Sequence, residues 1–349
     1  MTQKILVVGD LSLFTRSSQR FQAIHNLGQE LGYETLSICT KSDSTSNFLD
    51  RIRYKLGYPP DKAGINQAIL EKVMGEKPSL VWIDKGLVVR KNTLLKIKKD
   101  FPHTKLALWS PEYIKPRQNR SRFLMECLSL YDYWFSPMSQ NCRCSWLKER
   151  KPKNTICVNQ GYDKNLHRPL TLSKEEEELF TSDVNFIGTF ERPRGKQLLN
   201  IAEAGIQVRI WGNGWERWIN KHPNLKVENK PLYGEDYIKA LCASKINLAF
   251  LRKANQDKQT SRTIEIPACG AFMLAERTPE LTHLFQEGKE AEFFDFDNTQ
   301  ELIEKITYYL NHETERKEIA RLAREKCFKS KYSYEDILRP LLKQCLNNT

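Results

Sequence analysis

Asp257-Lys-Gln-Thr-Ser261-Arg262-Thr263-Ile-Glu265-Ile-Pro-Ala-Cys-Gly270 leads directly into a short apolar run at 271–275. Its two acids, Asp257 and Glu265, are separated by seven residues. The stretch reads as a loop that becomes a helix near Ser261, with Glu265 on the first turn, followed by a glycine turn into a buried strand. The N–H groups of Ser261, Arg262 and Thr263 then point out of the helix start. There, unpaired N–H groups and the aligned peptide dipoles both favour an anion. A carboxylate such as Glu265 accepts two hydroxyl hydrogen bonds, which suits a ribose diol. One segment can thus hold a diphosphate and a ribose. The plain alternative is an amphipathic helix entering a strand.

Outward from this stretch, short apolar runs alternate with helix-length segments. In the first half the expected strands are 4–8, 35–39, 80–84, 105–108, 133–135 and 155–158. Between them lie helices such as 17–31, with Phe21, Ile24, Leu27 and Leu31 at helical spacing. A polar stretch at 161–170 and an acidic run at 175–178 interrupt the pattern. It resumes with strands at 184–188, 207–212, 225–227, 246–250 and 272–275, and the chain closes on helices at 299–311, 313–329 and 335–346. Such alternation implies two doubly wound α/β domains, each with a parallel sheet covered on both faces. The expected division is 1–165, a linker at 166–182, a second domain at 183–328 and a tail at 329–349.

The Asp257-x7-Glu265 spacing ahead of Ala-Cys-Gly270 resembles the Glu-x7-Glu pattern of retaining glycosyltransferases of the two-Rossmann, or GT-B, class. Within that class the chain looks most like the CgeB-type, spore-maturation-like, family-4-like enzymes. The residues carrying this likeness are Arg262-Thr-Ile-Glu265-Ile-Pro-Ala-Cys-Gly-Ala-Phe-Met-Leu and then Thr278-Pro-Glu-Leu, with Asp84-Lys85-Gly86 and Gly161-Tyr-Asp…His167-Arg-Pro before them. Asp257 stands where the family has Glu and is one methylene shorter. The resemblance implies two Rossmann-like domains facing a central cleft, with the last helix returning to the first domain. It also implies a nucleotide-diphosphate sugar donor of the UDP or GDP type, transfer with retention, and neither metal nor other cofactor. Asp257, Glu265 and Arg194 are the catalytic candidates it singles out.

In doubly wound sheets ligands sit at the carboxyl ends of strands, so the residues just past each strand are the remaining candidates. Gly188-Thr189-Phe-Glu-Arg192-Pro-Arg194-Gly-Lys196 combines a glycine turn with cations at a helix start, a plausible diphosphate clamp. Arg194 is the preferred residue, ahead of Lys196 and Arg192. Trp211-Gly212-Asn213-Gly214-Trp215 allows close backbone approach, and its aromatics either border a base or are core tryptophans around a buried turn. Tyr233 is a further candidate for the base pocket, and Ser261, Arg262, Thr263 and Glu265 complete the donor set. Asp10, Lys85 and Glu112 follow strands of the first half and are the acceptor candidates, with loop polarity as the alternative at each.

The chain has 349 residues, 40% hydrophobic and 28% charged, and a net charge of +12 that is spread along it and densest over 85–122. That balance suits phosphate-bearing ligands, an acidic polymer, nucleic acid or the anionic face of a membrane. No apolar run approaches the ~18 residues of a membrane span, and the start reads as a strand, not a leader. Nine cysteines form no metal or disulfide framework by spacing, and Cys39, Cys157, Cys242 and Cys269 read as buried thiols. A reducing cytoplasm is the expected compartment, with peripheral membrane contact as an option. The six histidines show no metal-ligand spacing and read as surface or packing residues. The expected function is transfer of a sugar from a nucleotide-diphosphate sugar to a glycan, lipid-linked or protein acceptor. The alternative is a catalytically inactive nucleotide-sugar or glycan-binding protein of the same fold. No pattern of a nucleic-acid-binding module is present, so no nucleic acid is expected as partner.

Overall fold

The computed structural model describes residues 3–42 and 47–346. The chain folds into two units. Unit 1 comprises Met1–Asn159 with Tyr334–Thr349, and unit 2 comprises Gln160–Ser333. Residues 1–2, 43–46 and 347–349, parts of the expected first domain and tail, lie outside the described residues.

Among the described residues unit 1 carries six strands: β1 (Gln3–Gly9), β2 (Tyr33–Cys39), β3 (Leu80–Asp84), β4 (Lys105–Trp109), β5 (Tyr133–Ser136) and β6 (Asn154–Cys157). They form one sheet in the order β2-β1-β3-β4-β5-β6, and every pairing is parallel. Runs such as Ile5-Leu-Val-Val8 and Leu80-Val-Trp-Ile83 are apolar at every position because both faces are covered. Alternate residues feed different cores. Leu6, Val8, Val81 and Ile83 join one apolar cluster, while Ile5, Val7, Leu80 and Trp82 join another. The second cluster also contains Leu338, Leu341, Leu342, Cys345 and Leu346 from the last helix, Tyr334–Leu346. That helix lies against Arg16–Glu30, where Arg339 pairs with Glu30 at 2.6 Å. The returning tail is therefore part of unit 1.

Unit 2 repeats the plan with β7 (Ser182–Ile187), β8 (Val208–Trp211), β9 (Leu225–Val227), β10 (Ser244–Ala249), β11 (Met273–Glu276) and β12 (Glu292–Phe294). The order is β12-β11-β10-β7-β8-β9, again all parallel. The chain leaves β7 toward β8 and returns to β10 on the other side, so the winding reverses between β7 and β10. The edge strand β12 went unread in the sequence. The chain crosses between units at 159–160, and residues 166–182 lie inside unit 2. There Ser173 closes a capping box on the helix Lys174–Phe180, and Phe180 is buried.

Two expectations need correction. The charge is not spread evenly. Unit 1 has 28 Lys and Arg against 16 Asp and Glu, whereas unit 2 has 27 against 27, so the whole +12 resides in unit 1. Cys157 is not a buried thiol but is bonded to Cys142, with Cα atoms 5.7 Å apart, and Cys39 is exposed. Among the described residues no helix is long and apolar enough to cross a membrane.

Candidate functional site

The reversal between β7 and β10 is where an open wound sheet holds its ligand. The loops past these two strands bring together groups far apart in sequence. After β7, Gly188 is buried. A side chain there would meet the Phe186 ring at 2.7 Å and the Arg194 guanidinium at 3.4 Å. The helix Arg192–Glu203 follows and turns Arg194 inward, over the face of Phe186 at 5.5 Å, while Arg192, Lys196 and Thr189 stay exposed. Arg194 is 5% exposed and pairs with Glu191 at 3.2 Å. Its Nε is buried and has no hydrogen-bond partner among the described residues.

After β10 comes Arg252, which sequence reasoning missed. Its Nε donates to Asp257 at 2.9 Å, and its N–H donates to the same carboxylate at 3.3 Å. Asp257 also accepts from the Asn255 amide, and its side chain has no exposed surface. The residue expected at the donor sugar is thus the clasp of the 252–257 loop. Lys253 donates its N–H to Glu191 at 3.3 Å and pairs its ammonium with buried Glu276 at the end of β11, so the two loops are tied together.

Burial pushes the Arg194 guanidinium down to about 10. Glu191 and Asp257 oppose that shift, while Arg262 and Arg252 reinforce it. Arg194 remains cationic at neutral pH. The charges of Arg252 and Arg262 thus act on Arg194 alongside those of Glu191 and Asp257, and the observed pairs are Arg194 with Glu191 and Arg252 with Asp257. The Nε of Arg262 is likewise buried without a partner among the described residues. One uncompensated positive charge in partly dehydrated surroundings is suited to an anion.

The helix read at Ser261 is Arg262–Ala268, only seven residues, with Pro267 inside it. Its N-terminal N–H groups are partly spent. That of Thr263 donates to Thr260 at 3.1 Å, and the Thr263 hydroxyl donates to the same carbonyl. Glu265 sits on the first turn as expected but faces inward with no exposed surface. Its Oε2 accepts from the Tyr237 hydroxyl at 2.8 Å, and its Oε1 lies 3.7 Å from Nε2 of His167. Nδ1 of His167 lies 3.0 Å from the Asp163 N–H and 3.1 Å from the Asp163 carbonyl, which leaves Nε2 as the ring nitrogen nearer the carboxylate. The expected diol ligand is thus a buried carboxylate that accepts from Tyr237, with the His167 ring beside it. Tyr237 escaped the sequence reading because it does not stand just past a strand, whereas His167 was read as a surface or packing residue and is buried.

The tryptophans flanking Gly212 are core residues, not a base platform. Trp211 packs on Phe180, and Trp215 is fully buried and donates Nε1–H to the Gly188 carbonyl at 2.8 Å. Gly212 presses against that same carbonyl. Asn213 and Tyr233 are exposed, Tyr233 just before the helix Gly234–Ala243.

In unit 1, Lys85 and Glu112 come together, 3.7 Å apart, on a cavity of ≈ 100 Å³ that Tyr54, Leu87 and Ile114 also line. Lys85 is held in the left-handed region at φ 63°, an uncommon conformation for lysine. Asp10 is exposed and accepts from Ser12 within its own loop. Asp84, ahead of Lys85, is a structural acid that pairs with buried Arg20 at 2.8 Å.

Residues 192–343 match a family model described as glycosyl transferase-like. No curated protein sequence matches the chain significantly. Solved structures share its fold over the full length. Sucrose-phosphate synthase from Thermosynechococcus elongatus is 13% identical and superposes with a TM-score of 0.73, over 99% of this chain and 100% of that one. An alpha-glucosyltransferase in complex with UDP and a DNA 13-mer gives 0.68 at 14% identity, over 99% and 100%. Anabaena HepE in complex with UDP-glucose gives 0.66 at 11%, over 99% and 100%. The chain therefore has the two-domain α/β fold of GT-B glycosyltransferases, and residues 192–343 form its glycosyl transferase-like region.

Proposed function

We propose that the protein transfers a sugar from a nucleotide-diphosphate sugar of the UDP type to an acceptor hydroxyl. The observation that carries this reading is buried Arg194 just past β7, its Nε unpaired among the described residues, with Glu191 tying it to the loop that the Arg252–Asp257 pair clasps at the winding reversal of unit 2. Donors aimed where charge develops stabilise a departing diphosphate, and they cost least when fixed in advance. Glu191 and Asp257 hold Arg194 and Arg252 in place. The same cations are the basis for proposing a course without metal. Retention, and kinship to the CgeB-type subgroup, rest on the sequence resemblance. Solved relatives in fold hold UDP and UDP-glucose, which supports the donor class. The acceptor end is assigned to Lys85 and Glu112 in unit 1.

A second reading has its own support. Asp257 is shorter than the family's Glu and is engaged by Arg252, which fits a protein that binds the nucleotide sugar without turning it over. Calorimetric titration with UDP and GDP, beside an assay of UDP-glucose cleavage, tests both readings. Binding with turnover upholds the transferase, binding without turnover across a broad acceptor panel favours the binder, and no nucleotide binding overturns both.

A further inference from the structure

We propose that the face of unit 1 built on the helix Phe48–Lys55 docks onto an anionic lipid bilayer. This helix has one buried residue, Asp50, fixed by a capping box with Asn47 and by Lys62 at 2.5 Å. Its apolar side chains point the other way. Phe48 is 75% exposed, Leu49 66%, Ile52 38% and Leu56, just past the helix, 60%. At about 100° per residue these four fall within one stripe about 100° wide, opposite Asp50. Arg51 and Lys55 border the stripe on one side and Arg53 on the other, all exposed. Next to the helix, Arg122 lies over Tyr58 at 5.0 Å and Arg90 over Phe123 at 5.1 Å.

An apolar stripe flanked by cations is the pattern of a helix lying in a membrane interface. The sign of the surface selects the occupant. The entire +12 of the chain belongs to this unit, and an anionic leaflet attracts such a face. A second copy fits poorly, because a two-fold contact would set Arg51, Arg53 and Lys55 against themselves. Tyr54, on the same helix, lines the cavity of Lys85 and Glu112. Tyr54 falls on the side of the helix opposite the apolar stripe, so that cavity lies behind the docking helix and not on its membrane face.

Flotation of the full chain with vesicles tests the proposal, using phosphatidylcholine alone or mixed with phosphatidylglycerol. The protein should float with the mixed vesicles and not with phosphatidylcholine, and added salt should release it. Phe48→Ser with Ile52→Ser should weaken vesicle binding by more than about tenfold, since the buried apolar area is lost. Both side chains are exposed, so melting temperature and UDP affinity should stay at wild-type values. No flotation with anionic vesicles, or flotation indifferent to the double substitution, overturns the proposal. So does a dimer abolished by the same substitutions in a protein that ignores vesicles. Vesicle binding without any UDP binding upholds the docking face while removing the transferase reading, so the two fail separately.

Discussion

Arg194, Arg252 and Asp257 share one small volume, yet substitutions at the three should differ. Arg194→Ala removes a charge-assisted donor aimed at the anion, and UDP affinity should fall by about 1.5–3 kcal/mol in a calorimetric titration. Asp257→Asn should lower nucleotide affinity and turnover together, because the carboxylate acts by holding Arg252. A loss of turnover with affinity intact would restore it to the donor sugar. Glu265→Gln should cost less nucleotide affinity than Arg194→Ala, since the side chain faces inward. Tyr237→Phe leaves that buried carboxylate short of a donor and should cost about 1–3 kcal/mol of stability by denaturant unfolding. Arg194 was legible in the sequence because it stands just past a strand, beside a glycine turn. Arg252 was not, because its importance depends on a loop that folds Asp257 back onto it. Trp211 was ambiguous for a similar reason. A tryptophan beside glycine fits a base platform or a core equally well until the neighbouring strand fixes which way the ring points.

Strands β3 and β9 begin and end where the apolar runs predicted, and most others differ by one or two residues. Buried parallel strands advertise themselves because both faces demand apolar side chains. Strand β12 escaped because Glu292-Phe-Phe294 is three residues long and opens with an acid, which Lys305 neutralises at 2.6 Å from a helix farther along the chain. Gly212 marks where an element boundary is set by backbone contact. It adopts φ 148°, and a Cβ there would lie 2.0 Å from the Gly188 carbonyl oxygen. Gly212→Ala should therefore destabilise unit 2 by about 3 kcal/mol, from backbone strain and from the displaced β7 loop. Thermal unfolding checks the loss. Nucleotide affinity should fall with it, because the same displacement moves Gly188 away from Arg194.

The two wound sheets were legible in the full sequence, since the strand–helix alternation breaks and restarts, whereas the return of the last helix was an expectation drawn from the family resemblance. The allocation of charge between the units was not legible, because it follows from which unit claims the tail and residues 160–182. Leu342 has no exposed surface in the unit 1 core, so Leu342→Ala should cost about 2–5 kcal/mol, read as loss of cooperative unfolding of that unit. Removing 334–349 should expose Ile24, Leu27 and Trp82 and leave unit 1 prone to aggregate. The tail's late position also bears on the order of events during synthesis. Unit 2 is continuous in sequence and is complete once Ser333 has emerged from the ribosome. Unit 1, though made first, must wait for the final helix before its second core can close. The earlier-made half is thus finished last, and released chains that end at Ser333 should yield a protease-resistant unit 2 beside a digestible unit 1.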